Sequence, residues 1–186
     1  MPPTHALILM GLRCSGKTTI GRLAAERLGI PFVDLDDETA ALLAEPTPGD
    51  ALRRRGEPAF RAAETAALLD QLQRITLAGP IVLALGGGTP TAAEAPEVLR
   101  FAAEKCRCRL VYLHASPLAL RSRLEKADAS ARPSLTAAGV LDEVAALYDA
   151  RDPLYRSLAQ HTFEAGASTP QQLADDLTAW LASPSP

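Results

Sequence analysis

The sequence predicts an α/β fold in which a five-stranded parallel sheet carries helices on both faces. Two observations lead there. Four short apolar runs at 6–10, 30–35, 81–85 and 109–113, and a weaker one at 162–164, are each followed by a helical pattern, the alternation that right-handed crossovers turn into a parallel sheet. Between the first run and its helix, Gly11-Leu12-Arg13-Cys14-Ser15-Gly16-Lys17-Thr18 fits G-x-x-x-x-G-K-[ST] at every fixed position, the pattern of a phosphate-binding P-loop. A chain of 186 residues is long enough for one well-buried core with a small inserted lobe, and no internal repeat or coiled-coil heptad appears. A single domain over residues 1–182 is expected.

The charge balance narrows the partners. A net charge of −3 provides no basic field for nucleic acid or an anionic membrane, so an anionic substrate must be held by local arginines. The start, Met1-Pro2-Pro3-Thr4-His5, has no charged region leading into a long apolar one, and no apolar run reaches the roughly 18 residues of a membrane span. A soluble, cytoplasmic monomer is the expectation. Three cysteines, Cys14 alone and Cys106-Arg107-Cys108, match neither a disulfide framework nor a zinc spacing and imply a reducing compartment. Cys14 reads as a small loop residue, although its place at a helix N-terminus would favour a reactive thiolate. His5, His114 and His161 stand at strand edges without a metal-binding pattern and are read as structural.

The elements follow in order. The run 6–10 is uniformly apolar, as a strand buried on both faces should be. After the P-loop, Ile20, Leu23, Ala24 and Leu28 give a helical repeat that stops at Gly29. The loop glycines let backbone N–H groups and a positive helix N-terminus wrap one polyphosphate. Lys17 would reach the β/γ-phosphates, and the Thr18 hydroxyl would ligate Mg²⁺, a hard cation that prefers oxygen. The second strand enters through Pro31 and ends in Asp34-Leu35-Asp36-Asp37, beside the P-loop at the carboxyl edge where open parallel sheets bind ligands. Residues 37–44 read as a helix, broken by the prolines of 45–50 and resumed over 51–55. This is the expected small lobe, about 36–64.

Arg53-Arg54-Arg55 reads as a solvated helix face. Gly56-Glu57-Pro58 opens a long helix to about Leu77, with Arg61 and Glu64 on one face. The strand 81–85 runs into Gly86-Gly87-Gly88-Thr89-Pro90, and three glycines there predict a second backbone-lined site. Ser116-Pro117 starts the helix after the fourth strand, and that helix carries Arg121 and Arg123. Residues 126–138 are small and polar, which suits a lid over a nucleotide. A helix from 140 to about 159 is expected to be interrupted at Pro153. Thr169-Pro170 opens a terminal helix to Leu181, and 183–186 reads as a disordered tail.

A P-loop alone leaves hydrolysis, switching and phosphoryl transfer open. The N-K-x-D motif of GTPases is absent, while a short chain with a lobe, a water-excluding lid and scattered arginines suits a small-molecule kinase. The P-loop with Thr18-Thr19, the pair Asp34-x-Asp36, Gly56-Glu57-x-x-Phe60-Arg61-x-x-Glu64, Gly86-Gly87-Gly88, Arg132-Pro133 and Arg151-x-Pro153-Leu154-Tyr155-Arg156 together resemble the shikimate kinase family in spacing and order. The resemblance spans nearly the whole chain. It implies a P-loop fold like that of the nucleoside-monophosphate kinases and transfer of the ATP γ-phosphate to the 3-hydroxyl of shikimate, with Mg²⁺, in chorismate and aromatic amino-acid biosynthesis.

By that resemblance Lys17, Asp36 and Arg132 are the catalytic residues. ATP would meet Gly11, Cys14, Ser15, Gly16, Lys17, Thr18, Thr19 and Arg132, with Arg123 and Pro170 on the two faces of the adenine and Arg121 as a substitute. Shikimate would meet Asp36, Arg61, Gly86, Gly87, Gly88 and Arg151, the two arginines taking its carboxylate and Glu64 holding Arg61. Thr18 would bind the metal directly and Asp34 through water. The sequence departs from the commoner family pattern in Ser134 after the lid proline and in the missing arginine between Glu164 and Ser168. Two other readings are a kinase for another polyol acid such as gluconate, which an acceptor screen discriminates, and a non-catalytic nucleotide-binding regulator. Intact Lys17, Thr18, Asp36 and Arg132 speak against the regulator.

Overall fold

A computed structural model of the chain describes residues 3–126, 143–166 and 168–183. The expected lid, apart from Lys126, and with it Arg132, lies outside these residues. At the centre of the sheet is β1 (Ala6–Met10), buried at every position. Its side chains alternate between two cores: Leu7 and Leu9 enter one, Ala6, Ile8 and Met10 the other, so neither face has room for a polar residue. The sheet has five parallel strands in the order β2 (Phe32–Asp34), β3 (Val82–Ala84), β1, β4 (Cys108–His114), β5 (His161–Glu164). Helices α1 (Lys17–Leu28) and α8 (Pro170–Ala182) close one face, with Ile20, Ala24, Leu173 and Leu177 in its core. On the other, α4 (Glu57–Ala78) and α5 (Ala95–Lys105) contribute Leu68, Leu72 and Leu99. Because every strand runs the same way, the P-loop, Asp34 and the glycine triplet all emerge at one edge.

Local chemistry moves several boundaries from their expected places. The second helix, α2 (Leu35–Leu42), starts two residues early because Asp34 caps it, its carboxylate accepting from Asp36 N at 3.2 Å. Thr47 does the same for α3 (Pro48–Arg55), accepting from Asp50 N at 3.0 Å, so the prolines of 45–50 start a helix as well as ending one. Ala40, Ala51 and Phe60 form a small apolar cluster between α2, α3 and α4. The arginine run is more than a solvated face: Arg54 and Arg55 both donate to Glu45, whose side chain is only 4% exposed, at 3.1 and 2.9 Å.

Helix α6 (Pro117–Lys126) follows β4, and α7 (Glu143–Leu158) runs through Pro153 without the expected break. Asp149, whose carbonyl loses its donor, and Pro153 are both exposed, where water can satisfy that carbonyl. Ser183, expected in the tail, accepts a hydrogen bond from Arg109; residues 184–186 lie outside the described residues. Among the described residues no helix is long and apolar enough to cross a membrane.

Arg109 is a charge at the second position of β4, 5% exposed. It donates to the carbonyl of Trp180 at 3.1 Å, which also accepts from the backbone N–H of Ser183 at 3.1 Å, and to the carbonyl of Ser183 at 2.9 Å just past the end of α8, and its guanidinium lies 5.0 Å from the Trp180 ring centroid. Arg109→Leu removes both hydrogen bonds and sets an apolar side chain against the Ser183 carbonyl, while the Trp180 carbonyl keeps the N–H of Ser183. The expected loss is about 2 kcal/mol of unfolding free energy, read from urea denaturation.

Candidate active site

The P-loop owes its shape to close approach. A Cβ on Gly11 would stand 2.7 Å from Leu113 O and 2.6 Å from Ser15 Oγ, so no other residue fits there without movement. Cys14 (φ 64) and Gly16 (φ 102) take left-handed backbone, a conformation that loops use to turn successive N–H groups inward. Lys17 Nζ donates to Gly11 O at 2.9 Å and Leu12 O at 3.1 Å, which sets the ammonium across the mouth of the loop. Thr18 Oγ1 donates to Asp34 Oδ2 at 2.8 Å, bringing a hydroxyl and a carboxylate together beside it. Ser15 Oγ is buried without a hydrogen-bond partner among the described residues.

Cys14, Ser15, Gly16, Lys17, Thr18, Thr19 and Asp34 line one cleft, and its far wall contains Arg123 and Pro170. The Arg123 guanidinium is held by three backbone carbonyls: Cys14 and Ser15, at 3.3 and 3.4 Å, and Ala165. Gly11 contributes its carbonyl rather than cleft surface. Arg121 turns to solvent and pairs with Glu125 at 3.3 Å, away from this wall.

A second cleft adjoins the first and is bordered by Arg61, Gly87, Gly88 and Arg151, with Pro48 and Leu52 of α3 across from them. Glu64 is 1% exposed and accepts from Arg61 Nη1 at 2.8 Å and from Thr89 Oγ1 at 2.6 Å. Burial works against the Arg61 charge, yet Glu64 and, more weakly, Glu57 outweigh it and raise the arginine above its ordinary value. Gly88 makes room for that guanidinium, since a Cβ there would lie 2.6 Å from Arg61 Nη1. Arg151 donates to Gly87 O at 2.7 Å, and the Tyr155 hydroxyl donates to the same carbonyl. Burial raises the Tyr155 hydroxyl to about 12, so it remains a donor.

Asp36 borders both clefts. The two are therefore continuous at a carboxylate, and Lys17, Thr18, Asp34, Arg61 and Arg151 surround it from different elements. Gly86 is the exception among the predicted glycines. It sits behind the cleft wall, where a Cβ would come within 2.3 Å of Asp36 Oδ1 and 2.4 Å of Glu64 Oε1. Sequence reasoning missed Arg13, which lines both clefts but occupies a variable position of the loop pattern. Thr89 and the grip of Tyr155 on Gly87 were also invisible, since each depends on a partner far away in the chain.

A family model described as shikimate kinase matches residues 13–182. The chain belongs to the shikimate kinase family. A shikimate kinase of Neisseria meningitidis serogroup C is 40% identical over 158 residues, which are 85% of this chain and 86% of that one. Among solved structures, the shikimate kinase of Acinetobacter baumannii in complex with shikimate superposes with a TM-score of 0.80 at 31% identity, covering 97% of this chain and 93% of that one. A gluconokinase of Sinorhizobium meliloti has a TM-score of 0.63 at 19% identity, covering 98% and 94%, a likeness of fold alone.

The shikimate kinase fold leaves no space at Gly86 for a methyl group between two carboxylates. Gly86→Ala should therefore displace Asp36 or Glu64 and destabilise the protein by about 1–3 kcal/mol, seen as a lower Tm with a lower kcat/KM. An alanine variant with unaltered melting and turnover would show that the carboxylates move aside freely.

Proposed function

We propose that this chain transfers the γ-phosphate of ATP to the 3-hydroxyl of shikimate, giving shikimate 3-phosphate and ADP. The observation that carries the reading is Asp36, a carboxylate shared by the phosphate-loop cleft and a second cleft with two arginines on its wall. Shikimate has one carboxylate and three hydroxyls on a ring. Arg61 and Arg151 supply planar forks for the carboxylate, and Asp36 accepts from the hydroxyls, including the one that attacks. Gly87 and Gly88 offer backbone to the ring face without side chains to crowd it.

On the nucleotide side, Gly11, Cys14, Ser15, Gly16, Thr18 and Thr19 form the loop that holds the phosphates, and Arg123 and Pro170 flank the adenine. Lys17 and, by family resemblance, Arg132 neutralise the charge that develops on the transferring phosphoryl group. The hard oxygen donors at the loop fit Mg²⁺: Thr18 would bind it directly, and Asp34, already paired with Thr18, through water. Bound there with the nucleotide, Mg²⁺ supplies further neutralisation of the β- and γ-phosphates. The small lobe of about 36–64 and a lid of about 126–138 would close over the two substrates and exclude water. By the same reading the enzyme works as a cytoplasmic monomer on the route to chorismate and the aromatic amino acids.

Purified protein in an ATP-consumption assay should turn over with shikimate and far more slowly with gluconate, quinate or nucleoside monophosphates. Preference for gluconate would move the assignment to another polyol acid, and no turnover with any acceptor would favour a nucleotide-binding regulator. Lys17→Ala should lower kcat by about 10²-fold or more with an unchanged circular dichroism spectrum, because the ammonium acts mainly in the transition state. Arg61→Lys should raise the shikimate KM and leave the ATP KM alone, since a point charge does not reproduce the planar fork. A shift confined to the ATP KM would remove Arg61 from the acceptor site.

A further inference from the structure

His114 is absent from both cleft walls, yet it is bonded to the elements that build both. It ends β4 with a side chain 12% exposed and both ring nitrogens engaged. Nδ1 lies 2.6 Å from Glu164 Oε2 on β5, and Nε2 lies 2.8 Å from the Tyr148 hydroxyl on α7. A carboxylate can only accept, so Nδ1 carries the donated proton and Nε2 faces the hydroxyl. Asp152, one turn after Tyr148, places Oδ1 3.9 Å from Nε2 and also accepts from Tyr112 at 2.9 Å and from Arg156 at 2.8 Å. Burial opposes ionisation of Asp152, but the hydrogen bonds from Arg156 and Tyr112 prevail and hold its carboxyl below the usual range, so α7 presents a steady negative charge here.

The same stretch of α7 carries Arg151 and Tyr155, both donating to Gly87 O. Side chains three and four apart share a helix surface, so whatever fixes Tyr148 and Asp152 fixes the root of Arg151. On the nucleotide side the link runs through backbone: Ala165 N donates to His114 O at 2.7 Å, and Ala165 O accepts from Arg123. A side-chain substitution at 114 thus disturbs the acceptor wall and spares the nucleotide wall.

We infer that His114 is a positioning residue: by tying Tyr148 to the end of β4 and β5 it seats α7 so that Arg151 stands where the acceptor's carboxylate binds. The inference rests on the assignment of Arg151 to that carboxylate under Proposed function. His114 touches no substrate and acts only through the helix.

Steady-state kinetics with shikimate and MgATP test it. His114→Ala should raise the shikimate KM about tenfold, the equivalent of one net hydrogen bond, while kcat and the ATP KM stay near those of the parent enzyme. Tyr148→Phe, which deletes the other half of the same contact, should reproduce the effect and decides the matter if His114→Ala does not fold. His114→Gln, long enough to reach Tyr148, should restore the shikimate KM, whereas His114→Asn, which reaches only Glu164, should not. An unchanged shikimate KM in His114→Ala and Tyr148→Phe, an equal rise in both KM values, or rescue by Asn as good as by Gln would overturn the inference. Arg151→Ala is run beside them. If its shikimate KM does not rise, the Arg151 assignment and the inference fall together; if it rises while the His114 and Tyr148 variants are silent, the inference alone falls.

Discussion

The active edge of this protein depends on a carboxylate sealed inside it. Glu64 is almost fully buried in α4, and an ionised carboxylate in such a place must be bonded to cations or donors or it destabilises the fold by several kcal/mol. Its partners are Arg61 and Thr89, so one ion joins the long helix to the turn that follows β3. Gly86 is small because Glu64 and Asp36 approach it, and Gly88 is small because Arg61 does. The glycine triplet is therefore shaped from behind as much as from the cleft. Arg61 faces the second cleft with its plane already set by Glu64, which lowers the rotamer entropy that any contact made there would have to overcome.

Arginine bound to main-chain carbonyl recurs across the molecule. Arg151 is fixed on Gly87 O, Arg123 on the carbonyls of Cys14, Ser15 and Ala165, and Arg109 on those of Trp180 and Ser183. A carbonyl bears only a partial charge, so it orients a guanidinium without cancelling it, and five N–H donors leave some for other partners. In a chain with net charge −3 this arrangement concentrates positive potential at chosen points instead of spreading it over the surface.

Much of the fold was legible in sequence because it rests on local rules. The uniformly apolar β1, the stop at Gly29 and the P-loop each follow from neighbours a few residues away; Gly29 indeed takes left-handed backbone at φ 65. Boundaries moved for two reasons: the Asp34 side chain caps α2 early, and α7 continues past Pro153 on an exposed stretch of helix where water can serve the carbonyl that proline leaves without a donor. In the candidate site, Lys17, Thr18, Asp36, Arg61 and Arg151 were readable as a set because the family motifs keep their order. Gly86 was misread as cleft surface, and Arg13, Thr89 and the His114–Tyr148 contact went unread, because each depends on a tertiary approach that no spacing encodes. Arg54 and Arg55 show the same limit, since a triplet of arginines carries no sign of the buried Glu45 that it serves.

The position of β2 has a consequence for how the second cleft is held. It is an outer strand, paired with β3 over three residues and, among the described residues, with no strand on its other side, and α2 then α3 follow from its end. The apolar cluster they share with Phe60 of α4 is the smallest of the three among the described residues. β2 itself therefore has less ladder to hold it than β1, β3 and β4, and the segment it carries is kept in place by α4, through Phe60 and the hydrogen bond from Gln71 to Glu38, and by Leu35 in the core. Asp36 and the α3 wall of the second cleft are thus placed by α4 as much as by the sheet, so a change in that helix's packing reaches one side of the cleft while the P-loop stays anchored on β1.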